Sequence, residues 1–105
     1  MAKKTIMLCC AAGMSTSILV KKMQDAADNQ GLDYEIFAFP ASEADVKRQS
    51  QQIDCVLLGP QVRYMLADFQ KKLAGTDIPV EVIDTVVYGM MDGQKVINQA
   101  ANMMG

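Results

Sequence analysis

The apolar residues of this 105-residue chain alternate between continuous runs and helical spacing. Four short runs, wholly apolar or rich in branched and aromatic residues, predict strands at residues 5–9, 34–39, 55–58 and 80–83. A polar stretch at residues 43–52 predicts a short surface helix. Gly31 and Gly75 are expected to end helices, and Asp92 to cap the last one. Three apolar stripes at helical spacing predict the remaining helices: Leu19, Met23, Ala26 and Ala27; Val62, Met65, Leu66, Phe69 and Leu73; and Ile97, Ala100, Ala101 and Met104.

Strands that alternate with helices along a chain form a parallel sheet with right-handed crossovers. The first and third predicted strands are the most uniformly apolar, so we place them at the centre and the other two at the edges. The prediction is a single α/β domain over residues 1–105, with a four-stranded parallel sheet in the order 2-1-3-4 and helices on both faces. Ligands of such sheets bind at the carboxyl ends of the strands where the winding direction reverses, here between strands one and three.

The composition of the chain argues against several classes of function. The net charge is −2 and the Lys and Arg residues are not clustered, which argues against binding nucleic acid. The longest apolar stretch, residues 6–14, is about half of a membrane span, so no membrane insertion is expected. Three cysteines, two of them adjacent, indicate a reducing compartment, and we expect a cytoplasmic protein. With no histidine and no Cys-x-x-Cys pattern, neither a metal site nor a cofactor is expected.

The segment from Cys10 to Ser17 joins a thiol to the start of a helix. Backbone N–H groups converge there at the positive end of the helix dipole, and small residues let a ligand approach closely. The same position shifts a thiol toward thiolate. We therefore interpret Cys10 as a nucleophile. The residues after it form a phosphate cradle: Ala11, Ala12, Gly13, Met14, Ser15, Thr16 and Ser17.

Other interpretations of this segment stay open. Cys9 is a second candidate by spacing, but it belongs to the apolar run, and we assign it and Cys55 to core packing. The hydroxyl residues 15–17 could simply cap the helix, and Met14 in the exposed loop could contact a partner. A phosphatase loop has arginine where this chain has Thr16, which favours passing a phosphoryl group on over hydrolysing it. The alternatives are a cysteine-dependent phosphatase or arsenate reductase, a non-catalytic anion-binding module, and a Cys9–Cys10 redox pair.

Two further loops are predicted to border the same edge of the sheet. Pro60 and Gln61 follow the third strand and are candidates for contact with the phosphoryl group or a partner, or simply the start of a helix. Asp84 and Tyr88 follow the fourth strand, where hydrogen bonding within the loop is a simpler role than direct chemistry.

One motif is specific: Ile6-x-Leu8-x-Cys10-x-Ala12-Gly13-Met14-Ser15-Thr16-Ser17, with further matching stretches at residues 38–40, 56–61, 64–66 and 79–84. In these residues the chain resembles the IIB components of the lactose/cellobiose/chitobiose branch of the bacterial phosphoenolpyruvate-dependent sugar phosphotransferase system (PTS). It is similar to the cellobiose/chitobiose type. Cys9 is an extra thiol that the family pattern does not require.

The resemblance implies a phosphotransferase component that works as a phosphocarrier. Cys10 would accept a phosphoryl group from phosphohistidine of a IIA protein, and residues 11–17 would hold the phosphoryl oxygens. The group would then pass to a β-linked disaccharide, of the cellobiose or chitobiose kind, bound to the membrane permease IIC. The implied partners are therefore the phosphorylated IIA protein and IIC with its sugar.

Overall fold

The computed structural model describes residues 4–10, 14–40, 53–75 and 78–104. The predicted surface helix at residues 43–52 lies outside the described residues, as do Ala11, Ala12 and Gly13 of the predicted cradle. In chain order the elements are β1 (Lys4–Cys10), α1 (Met14–Asn29), β2 (Tyr34–Pro40), β3 (Cys55–Leu58), a 3₁₀ helix (Pro60–Met65), α2 (Leu66–Lys72), β4 (Val80–Val82), α3 (Thr85–Gly89) and α4 (Gly93–Met103).

The four strands form one parallel sheet in the order β2-β1-β3-β4, which confirms the predicted topology. Two hydrogen bonds fix the start of β3 against β1. The amide of Thr5 donates to the Asp54 carboxylate at 2.7 Å, and the amide of Asp54 donates to the Thr5 carbonyl at 2.8 Å. The reciprocal pair sets the register before either strand enters the core.

The central strands are buried on both faces, as their continuous apolar runs predict. Successive β1 side chains alternate between two separate cores, with Ile6 and Leu8 in one and Met7 and Cys9 in the other. Helices therefore cover both faces of the sheet, which confirms that prediction. The first core takes residues of α1, α3 and α4, including Leu19, Met23, Tyr88, Val96 and Ile97; the second takes Val62 of the 3₁₀ helix together with Phe69 of α2 and Leu73.

The prediction of one continuous helix after β3 is wrong. The amide of Val62 bonds to the Gly59 carbonyl three residues back at 3.0 Å, the pattern of a 3₁₀ helix, and Val62 has non-helical angles (φ −118°, ψ 22°). The change of direction leaves Met65 and Leu66 only half-buried. The end of the helical segment is as predicted, since Gly75 has a φ of +86°.

A short helix that the sequence analysis did not predict, α3, connects β4 to α4. It ends in a Schellman motif: the amide of Met91 bonds to the Tyr88 carbonyl and the amide of Asp92 to the Val87 carbonyl, each at 3.1 Å. Met91 holds the left-handed position that glycine usually takes, with a φ of 54°. Asp92 then caps α4 as predicted, because its carboxylate accepts from the Lys95 amide at 3.2 Å.

The contact between α1 and α4 depends on Gly93. A Cβ atom at this position would lie 2.5 Å from the backbone carbon of Lys22 and 2.6 Å from the backbone nitrogen of Met23. Since these neighbours are backbone atoms of a helix, they cannot move aside as a flexible side chain would. The two helices therefore pack this closely only with glycine at position 93.

Gly93→Ala is expected to lower the free energy of unfolding by about 2 kcal/mol, because α4 must shift away from α1. Urea unfolding followed by circular dichroism measures this change. Gly89→Ala is the matched control: nothing lies within 4 Å of the added methyl group, so its effect is expected to stay within about 1 kcal/mol of zero. Equal stability of the two variants would contradict the close packing of α1 on α4.

Candidate functional site

The carboxyl ends of β1, β3 and β4 lie in register along one edge of the sheet. Cys9 pairs with Leu58, and Leu58 pairs with Val82. Beyond these pairs, the amide of Gly59 donates to the Cys9 carbonyl at 2.8 Å, and the amide of Ile83 donates to the Leu58 carbonyl at 2.9 Å. The residues that follow the three strands are thereby held side by side, at the edge where the sequence places the site.

Cys10 is the last residue of β1, and α1 begins only four positions later, at Met14. The chain adds β2 on one side of β1 and β3 on the other, so Cys10 lies at the point where the winding of this parallel sheet reverses. Met14 begins the helix and does not belong to an exposed loop. Ser15, Thr16 and Ser17 lie within the first turn of the helix as it begins at Met14. The sixteen-residue helix has no acidic residue in its first turn, so no carboxylate there would repel an anion from the positive end of the helix.

The other two cysteines are buried in different cores. Cys9 packs in the core that contains Val62, Cys55 packs in the core that contains Leu19, and both are completely inaccessible to solvent. Burial, with added repulsion from the Asp54 and Glu81 carboxylates, raises the pKa of the Cys55 thiol to about 12. Both assignments to core packing are confirmed, and neither thiol is placed to act as a nucleophile in the folded protein.

Asp84 has a structural role at the start of α3. Its carboxylate accepts hydrogen bonds from the amides of Val86 at 3.0 Å and Val87 at 3.2 Å. These bonds satisfy two donors at the start of a helix of only five residues. The local hydrogen bonding that the sequence suggested for Asp84 is confirmed.

Of the four residues predicted to border this edge of the sheet, three line an open pocket. The pocket lies between the 3₁₀ helix that follows β3 and the helix α3 that follows β4, and has a volume of about 530 Å³. Tyr88 reaches it from α3 and is otherwise buried, whereas Gln61 is exposed. The structure thus brings Pro60, Gln61 and Tyr88 together, whereas Asp84 does not line the pocket. The lining residues are Pro60, Gln61, Arg63, Thr85, Tyr88 and Gly89.

Arg63 is a residue of this region that the sequence analysis missed. It is exposed, and among the residues that the structure describes it is the one charged residue that lines the pocket. The sequence placed Pro60 and Gln61 at this edge but not Arg63, because it predicted a regular helix from Val62 onward, whereas the structure has a 3₁₀ helix at Pro60–Met65.

The carboxyl edge of the sheet has features that suit the binding of an anion. Within residues 4–10, 14–40, 53–75 and 78–104, no three cysteine, aspartate or glutamate side chains meet in an arrangement that could hold a metal ion. None of the helices in those ranges is both long and apolar enough to cross a membrane. The edge instead offers the start of a long helix beside a cysteine, which suits the capture of a phosphoryl group.

Comparison with known proteins gives consistent matches over nearly the whole chain. Residues 5–99 match the family described as the lactose/cellobiose-specific IIB subunit of the PTS. The cellobiose-specific EIIB component of Lactococcus lactis subsp. lactis and the galactose-specific EIIB component of Lactococcus lactis subsp. cremoris are each 50% identical over 99% of both chains. The oligo-beta-mannoside-specific EIIB component of Bacillus subtilis is 43% identical over 96% of both chains.

Solved structures show the same fold. The cellobiose-specific phosphotransferase IIB component of Borrelia burgdorferi superposes with a TM-score of 0.79 at 33% identity, covering 98% of this chain and 93% of that one. The lactose-specific IIB component domain of Streptococcus pneumoniae superposes with a TM-score of 0.77 at 14% identity, covering 99% and 100%. The second likeness, at such low identity, supports the fold alone.

The burial of Cys9 and Cys55 predicts that they react more slowly than Cys10, which the sequence places just before the start of a helix. In the folded protein at pH 8, iodoacetamide is expected to alkylate Cys10 and to leave Cys9 and Cys55 unmodified, because both are buried and the Cys55 thiol stays protonated well below its pKa of about 12. Peptide mapping by mass spectrometry measures the modification of each site, and urea-unfolded protein, in which all three should react, is the control. Alkylation of Cys55 in the folded state as fast as Cys10 would contradict these environments.

The capping role of Asp84 predicts a change in stability. Asp84→Ala is expected to lower the free energy of unfolding by about 1 kcal/mol, whereas Asp84→Ser keeps an acceptor oxygen and most of that stability. Thermal unfolding of the two variants beside the unchanged protein tests the difference. If the serine variant lost as much stability as the alanine variant, the cap would not be the reason for the loss.

Proposed function

This chain belongs to the lactose/cellobiose-specific IIB subunits of the PTS, the phosphotransferase components of sugar-specific systems, and from this premise we propose that Cys10 is the residue that carries the phosphoryl group. One observation carries the proposal. Of the three cysteines, Cys10 alone ends a central strand directly before the start of a long helix, while the other two lie inside the cores.

In the first step, the Cys10 thiolate attacks the phosphorus of a phosphohistidine on the IIA protein, in line with the P–N bond. The S–P bond forms as the P–N bond breaks, and the imidazole nitrogen keeps the electron pair. Backbone N–H groups of residues 11–16, together with the hydroxyl groups of residues 15–17, hold the phosphoryl oxygens during the transfer. The absence of acidic residues from the first turn of α1 supports this role, since no carboxylate repels the incoming dianion.

In the second step, a hydroxyl group of the sugar bound to the permease IIC attacks the same phosphorus. The S–P bond breaks, the thiolate of Cys10 leaves with the electron pair, and the hydroxyl proton passes to a base on the acceptor side. The helix dipole that stabilises the thiolate assists both steps, because Cys10 must be a nucleophile in one and a leaving group in the other. The N–H dipoles compensate the phosphoryl charge, so the mechanism requires no metal ion.

The proposed sugar is a β-linked disaccharide of the cellobiose or chitobiose kind. Relatives named for cellobiose and for galactose are equally similar to this chain, and a third is named for oligo-beta-mannosides, so overall identity does not select among the three. We place the protein in the cytoplasm, as a single IIB domain over residues 1–105, where both a IIA protein and the inner face of IIC are within reach.

The proposal is tested by incubating the protein with phosphoenolpyruvate, the general phosphotransferase proteins and a cellobiose-type IIA protein. Intact-protein mass spectrometry with site mapping is expected to show one phosphoryl group, on Cys10. Cys10→Ser is expected to carry none on a cysteine, and the matched variant Cys9→Ser is expected to be phosphorylated fully, because its thiol lies in the core.

Absence of a phosphoryl group with every member of a panel of phosphorylated IIA proteins would contradict the carrier mechanism. Where phosphorylation is obtained, membrane vesicles containing IIC with cellobiose, chitobiose, galactose or a β-mannoside then identify the sugar. Release of phosphate without IIC and sugar, at a rate comparable to transfer, would favour a phosphatase instead.

A further inference from the structure

The proposed transfer through Cys10 does not use the open pocket between the 3₁₀ helix and α3. The volume of this pocket, about 530 Å³, falls within the range of roughly 300–1,000 Å³ that is usual for sites of small molecules. Its described walls come from two elements that follow neighbouring strands, the 3₁₀ helix after β3 and α3 after β4. The pocket is therefore large enough for a ligand of its own.

Three polar side chains of different kinds converge on this pocket. The 3₁₀ helix contributes the guanidinium group of Arg63 and the amide group of Gln61, and α3 contributes the hydroxyl group of Thr85. All three residues are exposed, and within the described part of the chain none of these side chains has a hydrogen bond or an ion pair. They are available to a ligand with several polar groups, because together they offer both donors and acceptors.

The charge of the pocket favours a ligand that carries an anionic group. Arg63 is the one charged residue among the described lining residues, so no carboxylate among them opposes it. Asp84, which precedes Thr85, directs its carboxylate at the backbone amides of Val86 and Val87 instead. A planar guanidinium group holds two oxygen atoms of a phosphate group through parallel hydrogen bonds. The pocket therefore suits a phosphate ester.

The remaining lining residues suit the carbon skeleton of a sugar. Pro60 and Tyr88 offer apolar surface, and the surface of Tyr88 is rigid because this residue is only 7% exposed and packs in the first core. Gly89 leaves space beside them, since an added Cβ atom would meet no atom within 4 Å. A limited apolar surface with a few polar groups at its margin is the usual composition of a ligand pocket.

We propose that this pocket binds a sugar phosphate, with the phosphate group on Arg63 and hydroxyl groups of the sugar on Gln61 and Thr85. The inference rests on the proposed function and adds to it a site for the product of the transfer. A phosphorylated sugar has both features that the pocket recognises, an anionic ester and a ring that carries hydroxyl groups. A free sugar lacks the first and inorganic phosphate lacks the second, so each binds more weakly.

A sugar phosphate in this pocket slows the phosphorylation of Cys10 when the product accumulates. The pocket lies beyond the ends of β3 and β4, and β3 pairs directly with β1, whose last residue is Cys10. Because neighbouring strands are about 4.8 Å apart, β4 is only about 10 Å from β1. The bound ligand therefore places its bulk and its negative charge close to the path by which a phosphorylated protein approaches Cys10.

Binding is measured on the unphosphorylated full chain, so that the test does not depend on any transfer step. Isothermal titration calorimetry uses three sugar phosphates as probes, namely cellobiose 6-phosphate, galactose 6-phosphate and mannose 6-phosphate, beside cellobiose and inorganic phosphate. At least one sugar phosphate is expected to bind with a Kd of about 1 mM or lower, and about tenfold more tightly than cellobiose or inorganic phosphate. Absence of binding by all three sugar phosphates would overturn the proposal.

Two variants and a matched control assign the binding to the pocket. Arg63→Gln removes the cation and is expected to raise the Kd about tenfold, and Thr85→Val removes the hydroxyl group and is expected to raise it about threefold. Lys71→Gln loses the same charge as Arg63→Gln at an exposed position in the last turn of α2, and its Kd is expected to stay within about twofold. Urea unfolding confirms that each variant is folded. An unchanged Kd in Arg63→Gln would contradict the assignment.

The position of the ligand is measured separately, because the residues after Cys10 also hold phosphoryl oxygens in the proposed mechanism. In isotope-labelled protein, the amide NMR signals of residues 61–63 and 85–89 are expected to shift most when the sugar phosphate is added. Shifts confined to residues 11–17 would overturn the proposal, since the ligand would then occupy the phosphoryl site. Equal affinity for inorganic phosphate would do the same, because the sugar would contribute nothing.

Initial rates of Cys10 phosphorylation by a IIA protein test the effect on the carrier. A saturating sugar phosphate is expected to lower the rate several-fold in the unchanged protein and much less in Arg63→Gln at the same concentration. A rate that the sugar phosphate leaves unaltered would contradict this effect. Failure of Cys10 to become phosphorylated under any condition is a separate result, which contradicts the proposed function, whereas the binding measurements alone decide whether the pocket holds a sugar phosphate.

Discussion

The burial of β1 against two cores is the constraint on which the rest of the structure depends. Four consecutive residues, Ile6 to Cys9, are at most 1% exposed, and their side chains enter opposite cores in turn. A shift of one residue would exchange the side chains between two cores of different shape, which close packing does not tolerate. Hydrogen bonds at both ends of the strand, from Asp54 at one and Gly59 at the other, hold the same register. The position where β1 ends is therefore fixed, and Cys10 is fixed with it.

The three cysteines show how position in the fold gives chemically identical thiols different environments. Cys9 and Cys10 are neighbours in sequence, yet one points into a core and the other ends the strand beside the start of α1. Cys55 lies in the opposite core, where burial and nearby carboxylates keep its thiol protonated. A nucleophilic thiol needs contact with water and a positive potential, and the end of a parallel strand before a helix provides both. Burial thus keeps two of the thiols out of reaction, which agrees with the proposal that Cys10 carries the phosphoryl group.

At the carboxyl edge of the sheet, the short helix α3 is held by local hydrogen bonds and carries exposed apolar side chains. α3 has only five residues, too few to be stable alone, but the Asp84 cap holds its start and the Schellman motif at Met91 holds its end. These local bonds allow Val86 and Met90 to stay exposed on a rigid element without drawing it into the core. A carrier that meets successive partners benefits from a small, preformed surface, since little ordering is needed at each encounter and release stays fast.

Several features follow from the sequence by itself. Continuous apolar runs determine the strands and their central or edge positions, because only strands buried on both faces require such runs. The strand order then predicts where the site lies, and the residues from Cys10 to Ser17 predict phosphoryl chemistry there, because a strand followed by small and hydroxyl residues is a local signal. The tertiary structure alone decided the break at Val62, the helix α3 and the meeting of Arg63 with Tyr88. A five-residue helix is too short to show periodicity, and a 3₁₀ turn preserves the apolar stripe that a regular helix would have. The predicted strand order already placed the residues after β3 and β4 at the same edge, but the meeting of Arg63 with Tyr88 depends on the 3₁₀ helix and on α3, which no local pattern of residues records.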